Sequence, residues 1–304
     1  MNRVCLVGLG VITKHYKKGL EDSKCLDLVA VCDLNESALA RSLYSDLHFY
    51  TFYKLMIDVE KPDLIIIATP PAAHYEIAEY ALKHKVGVIL EKPATLNYED
   101  CKKLHDLADE MGVFFTVMFH WQTGEEVLYF NQHFDLNKIA KIEVDINDSY
   151  SDDGVTIKND RIPLWGAWVD SGVNALSLIN KWVPFDDCLL IGVKVQHCTE
   201  SGLPIFARAD LQFAHNSKAI PVSISVDWRN DKSDKYTLLK MVDGTEILIE
   251  HTAQKIVAGG KEIVLDDMPR LERHYYNYFT NFENSSTDDD LMIHKILFEV
   301  DKLL

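Results

Sequence analysis

The chain has 304 residues, 47% of them hydrophobic and 26% charged, and a formal net charge of -16. That balance belongs to a folded globular protein and excludes fibrous and disordered classes. The acidic surplus, with no cluster of Lys or Arg, excludes nucleic acid and anionic membrane surfaces as partners.

Domains of roughly 100 to 200 residues make two the natural expectation for this length. Apolar runs at 3–7, 26–33, 63–69, 86–91 and 113–119 read as strands, separated by segments such as 74–83 and 98–111 whose apolar residues recur at helical steps. This alternation predicts a doubly wound parallel sheet, a Rossmann-type domain over residues 1–120. A second domain, 121–304, follows. There one helix around 170–180 precedes strand-like stretches at 187–195, 207–213, 220–227, 236–242 and 246–251, which predicts an α/β domain with a large, mostly antiparallel open sheet. Residues 284–290 read as a polar loop, with 288–290 a solvated loop or helix start. Residues 291–304 read as an amphipathic helix able to pack on either domain.

Six scattered cysteines without Cys-x-x-Cys spacing read as reduced thiols, and no His, Cys or carboxylate cluster has metal-ligand spacing, so no metal is expected. The chain enters a strand within three residues without a leader pattern, and no run approaches the ~20 apolar residues of a membrane span. The expected location is the cytoplasm.

Gly8-Leu9-Gly10-Val11-Ile12-Thr13 directly follows the first strand. The two glycines suit a tight turn and a close backbone approach to a pyrophosphate at a helix N-terminus, while Thr13 stands where a third glycine is usual. Asp33, at the end of the second strand, is placed to accept bonds from the adenine ribose hydroxyls, and its charge disfavours a 2′-phosphate. NAD is therefore expected over NADP. Ala68-Thr69-Pro70-Pro71 and Glu91-Lys92-Pro93 end neighbouring strands, with His74 opening the next helix, so all lie on the carboxyl edge where open α/β sheets bind ligands. Further on, Asp170 and Asn174 stand four residues apart on one helix face, able to aim a carboxylate and an amide at one substrate.

Together these motifs resemble the glucose-fructose oxidoreductase, inositol dehydrogenase and MocA family over about the first 180 residues. The resemblance implies a cofactor set of Gly8, Gly10, Val11, Ile12, Asp33, Thr69, Pro70, His74, Glu91 and Lys92. It further implies that Lys92 and the Asp170 helix act on a sugar or polyol hydroxyl while hydride passes to nicotinamide. It also implies a homo-oligomer, dimer or tetramer, built through the second domain's sheet.

Where most members carry His, this chain has Asn174 within Asp170-Ser171-Gly172-Val173-Asn174-Ala175-Leu176-Ser177. That version is similar to the bacterial L-arabinose and D-galactose 1-dehydrogenases, as are Phe119-His120-Trp121 and Val226-Asp227-Trp228-Arg229. The implied reaction is oxidation of an aldose at C1 to a lactone. Lys92 or Asp170 would be the base, with Asn174 on a ring hydroxyl, His120 a hydroxyl partner and Trp228 a stacking wall.

An inositol, another polyol or a keto-sugar is the nearest alternative substrate. Two other classes are a hydrolase that uses NAD transiently on a glycoside and a non-catalytic dinucleotide sensor, as in a yeast corepressor of the family. The sensor class fits less well with Lys92 and Asp170 both present. Trp165, Trp168 and Trp182 read as packing around the Asp170 helix. The aromatic series Tyr275, Tyr276, Tyr278, Phe279 and Phe282 reads as core or oligomer contact.

Overall fold

The structure, a computed structural model, describes residues 1–38, 40–184, 187–215, 218–282 and 289–304, excepting the side chains of residues 215 and 289. Among them the strands are β1 (Asn2–Val7), β2 (Leu26–Cys32), β3 (His48–Tyr50), β4 (Leu64–Ile67), β5 (Gly87–Glu91), β6 (Phe115–Met118), β7 (Ile139–Asn147), β8 (Asp187–His197), β9 (Pro204–His215), β10 (Lys218–Asp227), β11 (Lys235–Met241), β12 (Glu246–Glu250), β13 (Lys255–Ala258) and β14 (Lys261–Val264). The α-helices are α1 (Lys17–Glu21), α2 (Tyr53–Glu60), α3 (His74–Lys83), α4 (Tyr98–Met111), α5 (Glu125–His133), α6 (Val173–Trp182), α7 (Arg270–Thr280) and α8 (Asp289–Asp301).

One compact unit comprises Met1–His120 and Leu271–Leu291. Its six strands are ordered β3-β2-β1-β4-β5-β6, and every pair is parallel. Strand order reverses between β1 and β4, which puts the ligand crevice of such a sheet beyond their carboxyl ends. β4, Leu64-Ile65-Ile66-Ile67, is buried throughout because helices cover both faces. α4 is started by Asn97, whose Oδ1 accepts from Asp100 N at 2.8 Å, and stopped by Gly112 at φ 63°.

The sequence boundary near 120 leaves Leu271–Leu291 in the second domain, whereas this segment packs with the first unit. Tyr275 and Phe279 of α7 are fully enclosed there against Tyr16. Burying a side chain such as Phe279 contributes about 1.5–3 kcal/mol. Gly19 makes room: a Cβ there would lie 2.9 Å from the Tyr275 carbonyl oxygen. Of the predicted aromatic series, Tyr275, Phe279 and Phe282 are core of the first unit and Tyr278 packs against it, while Tyr276 is half-buried outside it.

The other unit comprises Trp121–Arg270 and Met292–Leu304. Its eight strands run β14-β13-β12-β11-β7-β10-β9-β8, and among the described pairs only β7 with β10 is parallel. The large, mostly antiparallel sheet is as expected, but β7, β13 and β14 are additional to the five predicted strands. β7 alternates Ile142, Val144 and Ile146 inward with Lys141, Glu143 and Asp145 outward. Its charged outer face dilutes the apolar signal. The predicted C-terminal helix is α8, and the segment Met292–Leu304, which takes in most of it, groups with this unit. Residues 284–288 of the predicted polar loop lie outside the described residues. No described helix is long and apolar enough to cross a membrane, and all six cysteines are free.

Candidate active site

In the first unit the chain leaves β1 through Gly8 at φ +95°. A Cβ on Gly8 would stand 2.5 Å from the Ala68 carbonyl oxygen and 2.8 Å from Thr69 N, so this glycine serves the approach of two strand-end loops. Gly10 differs. It is exposed, and a Cβ there meets nothing within 4 Å, which leaves its peptide open to a ligand.

The expected helix N-terminus after this loop is not a full one. Ile12–His15 is a 3-10 turn, and α1 runs for five residues only. Thr13, in place of a third glycine, turns its hydroxyl back to the Gly10 carbonyl at 2.9 Å, and Tyr44 OH donates to the Thr13 carbonyl at 2.7 Å. These bonds favour the tighter turn. The loop therefore presents backbone N–H groups without a full helix dipole behind them. Val11 is half exposed beside Gly10, while Ile12 packs against the core.

Asp33 is built into the loop. Its Oδ2 accepts from Leu9 N at 2.7 Å and its Oδ1 from Asn35 N at 2.8 Å. A carboxylate has about four acceptor sites, so two remain for ribose hydroxyls. On the neighbouring loop Thr69 Oγ1 is buried with no hydrogen-bond partner among the described residues, while Pro70 is exposed beside it. An orphaned hydroxyl and an open glycine peptide are the features a dinucleotide would satisfy.

Two predicted cofactor residues act from behind this surface. His74 is fully buried, with Nε2 2.8 Å from the Thr69 carbonyl oxygen and Nδ1 3.0 Å from that of Pro93. Burial pushes its pKa down against the opposing pull of these carbonyls; in the neutral form the single ring N–H donates to one of the two. Glu91 is likewise buried. Its Oε1 accepts from Tyr16 OH at 2.5 Å and Tyr275 OH at 2.7 Å, and its Oε2 accepts from Lys92 N at 3.0 Å. Desolvation raises the Glu91 pKa against the opposing pull of these bonds and the Lys92 charge. Lys92 itself is partly exposed at the end of β5, next to a cis peptide to Pro93. Both side chains are thus enclosed by protein rather than presented on the loop surface.

His120 is also a correction. It is 3% exposed, stacks on Tyr275 at 4.9 Å and places Nδ1 3.2 Å from His274 Nδ1. Its ring supports the Glu91 network and is not open to a hydroxyl ligand.

In the second unit Asp170 lies in a π-helical turn, Trp168–Gly172, that leads into α6. Gly172 admits the Trp168 indole, whose ring a Cβ would meet at 3.0 Å; the indole N–H donates to the Leu297 carbonyl at 2.9 Å. The widened turn changes the predicted pairing. Asn174 Nδ2 donates to the Asp170 carbonyl at 3.2 Å, and its buried Oδ1 has no partner among the described residues. Such wide turns free a backbone carbonyl and recur at functional sites. Asp170 and Asn174 thus offer a carboxylate and an amide oxygen.

Sequence reasoning missed the groups around Asp170. The negative charges of Asp148 and Asp170 act on Tyr150, and with burial they push its pKa well up. Buried Lys235 pairs with Asp148 at 2.5 Å and feels Arg270 and Asp170, while burial holds its pKa down. These residues come from the segment after β7, from the start of β11 and from the start of α7, and no local pattern joins them. Trp228 is fully buried and packs edge-on to Tyr150 at 5.1 Å. It is core rather than a stacking wall. Trp168 and Trp182 are buried as expected; Trp165 is 43% exposed, at φ 65°, and does not pack around the helix.

Residues 2–119 match the family model for an oxidoreductase family with an NAD-binding Rossmann fold, GFO_IDH_MocA. Over these residues the chain matches the NAD-binding domain of the Gfo/Idh/MocA family. D-glucoside 3-dehydrogenase from Escherichia coli (strain K12), one similar protein, is 29% identical over 121 residues, covering 39% of this chain and 34% of that protein. The match thus spans about a third of the length of this curated relative. A dehydrogenase (MviM) from Clostridium difficile shares the fold across 100% of this chain and 99% of its own, with TM-score 0.78 and 16% identity. GenD2 from gentamicin A biosynthesis, solved in complex with NAD, has TM-score 0.78 and 15% identity over 97% of this chain and 92% of its own. The match over residues 2–119 accords with the six-stranded parallel sheet and the loops on its carboxyl edge.

Proposed function

We propose that the protein is an NAD-dependent oxidoreductase that oxidises a CH–OH group of a monosaccharide. The observation that carries this reading is the first unit's carboxyl edge. An open Gly10 peptide, an orphaned Thr69 hydroxyl and a carboxylate at Asp33 fit a dinucleotide, and Lys92, whose backbone N–H is anchored by the buried Glu91, follows β5 on the same edge. Gly10, Val11, Asp33, Thr69 and Pro70 hold the cofactor, which accepts the hydride. Asp33 disfavours a 2′-phosphate by like charge; charged hydrogen bonds to ribose of about 1.5–3 kcal/mol each give NAD a tenfold or greater advantage.

Lys92 and Asp170 are the two candidate bases, and the Oδ1 of Asn174 accepts from a sugar hydroxyl. The similarity of the Asp170 to Ser177 run to arabinose and galactose 1-dehydrogenases supports oxidation at C1. The anomeric hydroxyl is more acidic than an ordinary secondary alcohol, so the reaction needs no imidazole where Asn174 stands. A second reading, oxidation at C3, is supported by the likeness to D-glucoside 3-dehydrogenase. We further propose a homo-oligomer built through the eight-stranded sheet, whose edge strand β8 exposes Leu189 and Ile191 at 61% each.

The test is NADH formation on galactose, arabinose and glucose, on their methyl glycosides, and on inositols, each with NAD and with NADP. A methyl glycoside has no free anomeric hydroxyl. Turnover on free aldoses alone, with acid released as the lactone opens, supports C1; turnover on the glycosides moves the reaction to C3 or another ring carbon. Turnover on inositols alone changes the substrate to a polyol. Glycoside cleavage without net NADH indicates a hydrolase, and tight NAD binding without turnover on any of these sinks the enzyme reading in favour of a sensor.

A further inference from the structure

Cys101 and His105 stand four residues apart on the buried side of α4, and Asp290 lies in the first turn of α8. They are 0%, 7% and 3% exposed. One donor atom from each, a thiol sulfur, a ring nitrogen and a carboxylate oxygen, lies within 4.8 Å of the other two. His105 Nε2 is 2.8 Å from Asp290 Oδ2, and the His105 ring is set edge-on to Phe115. None of these residues belongs to the carboxyl-edge site.

We propose that Cys101, His105 and Asp290 form a binding site for a divalent cation of the zinc class. The i, i+4 spacing on one helix puts sulfur and imidazole on the same face, which is how a helix supplies two metal ligands. A sulfur, nitrogen and oxygen set suits zinc, cobalt or nickel, whereas magnesium and calcium take oxygen donors. Charge also fits. A thiolate, a carboxylate and a neutral imidazole carry two negative charges, which a divalent ion cancels, so the loaded site buries no net charge.

Without metal the thiol keeps its proton, since burial and then the Asp290 charge push its pKa well up. Binding breaks the Cys101 S–H bond, sends that proton to solvent and forms a sulfur–metal bond; the His105 proton that bridges Nε2 to Asp290 without metal moves to Nδ1, so that the Nε2 lone pair and the Asp290 oxygen both turn to the ion. Metal–ligand bonds of about 2.0–2.3 Å place donor atoms roughly 3.5 Å apart, so the His105–Asp290 pair, 2.8 Å apart, opens around the ion and water completes the fourth position. The expected effect is to pin the turn that carries Asp290 against α4. The competing description is a plain His–Asp hydrogen bond with a bystander thiol.

The experiment uses the full, tag-free chain, stripped with EDTA and titrated with Co²⁺, then Zn²⁺, with metal content measured by mass spectrometry. A thiolate-to-cobalt absorption band saturating at one equivalent, displaced by Zn²⁺, is expected. So is a rise in melting temperature with Zn²⁺ but not Mg²⁺. Cys101→Ala and Asp290→Asn lose both effects, while Cys25→Ser, which removes the exposed thiol, keeps them. Absence of the band in the wild-type chain, or its persistence in Cys101→Ala, overturns the proposal. The wild-type titration decides the matter even if a variant fails to fold.

Discussion

Two glycines of one loop should fail in different ways. Gly8 sits at φ +95°, and a Cβ there would lie 2.5 Å from the Ala68 oxygen, 2.6 Å from its carbonyl carbon and 2.8 Å from Thr69 N. All three are backbone atoms and cannot swing aside. Gly8→Ala therefore meets about 1–2 kcal/mol of left-handed backbone strain and a further 1–3 kcal/mol of overpacking. For a unit of this size the sum lowers the melting temperature by about 5–15 °C. Gly10→Ala meets nothing within 4 Å. Its stability should stay within about 0.5 kcal/mol of wild type. Its methyl group, however, stands where the cofactor must approach. Loss of one charge-assisted hydrogen bond of about 1.5–3 kcal/mol weakens NAD roughly tenfold or more. Scanning fluorimetry with and without NAD, and calorimetric titration of NAD into both variants, separate the two effects. The reasoning is refuted if Gly8→Ala melts with the wild type, or if Gly10→Ala binds NAD at wild-type affinity.

Asp33→Ala removes the acceptor for Leu9 N and Asn35 N as well as the ribose partner, so NAD affinity should fall about tenfold or more and discrimination against NADP should shrink; equal loss for both dinucleotides would count against a ribose role. Tyr275→Phe deletes a bond to Glu91 that lowers its pKa, so the carboxyl shifts further up and its ionised form becomes harder to hold. The resulting loss, about 1.5–3 kcal/mol, grows as pH rises through the folded Glu91 pKa, and melts at about pH 5 and pH 8 should show the larger deficit at the higher pH. His74 runs in the opposite sense. Its folded pKa is depressed, so the unfolded chain takes up a proton below about pH 6.5 while the folded one resists, and stability falls with acid. His74→Gln should lose that part of the slope in urea denaturation across the same range; an unchanged slope would show that the ring is not held neutral. For the base, Lys92→Met should abolish the fall in kcat/KM that protonation of the base causes as pH drops, and a profile matching wild type would assign proton removal to Asp170.

The alternation of apolar runs with helical segments was enough to read the first sheet, because a parallel sheet covered on both faces demands continuous apolar strands such as Leu64–Ile67. Chain order likewise placed Gly8, Gly10, Asp33, Thr69 and Lys92 on one edge, since consecutive βα turns all emerge at the carboxyl ends of the strands. Asp170 and Asn174 were legible as neighbours for a similar local reason. What the local pattern could not carry was partnership across long separations. Glu91 draws its donors from Tyr16 and Tyr275, the second of them 184 residues away. His105 meets Asp290 across 185 residues, and Lys235 meets Asp148 across 87. His74, His120 and Trp228 show the converse: residue types that suit a ligand surface are enclosed once the chain packs. Periodicity and motif spacing depend on backbone geometry within a few residues, and so are written in the sequence. Burial depends on which distant side chains fill the space around a residue, and only the tertiary structure decides whether a carboxyl or an imidazole faces a cofactor or supports it from behind.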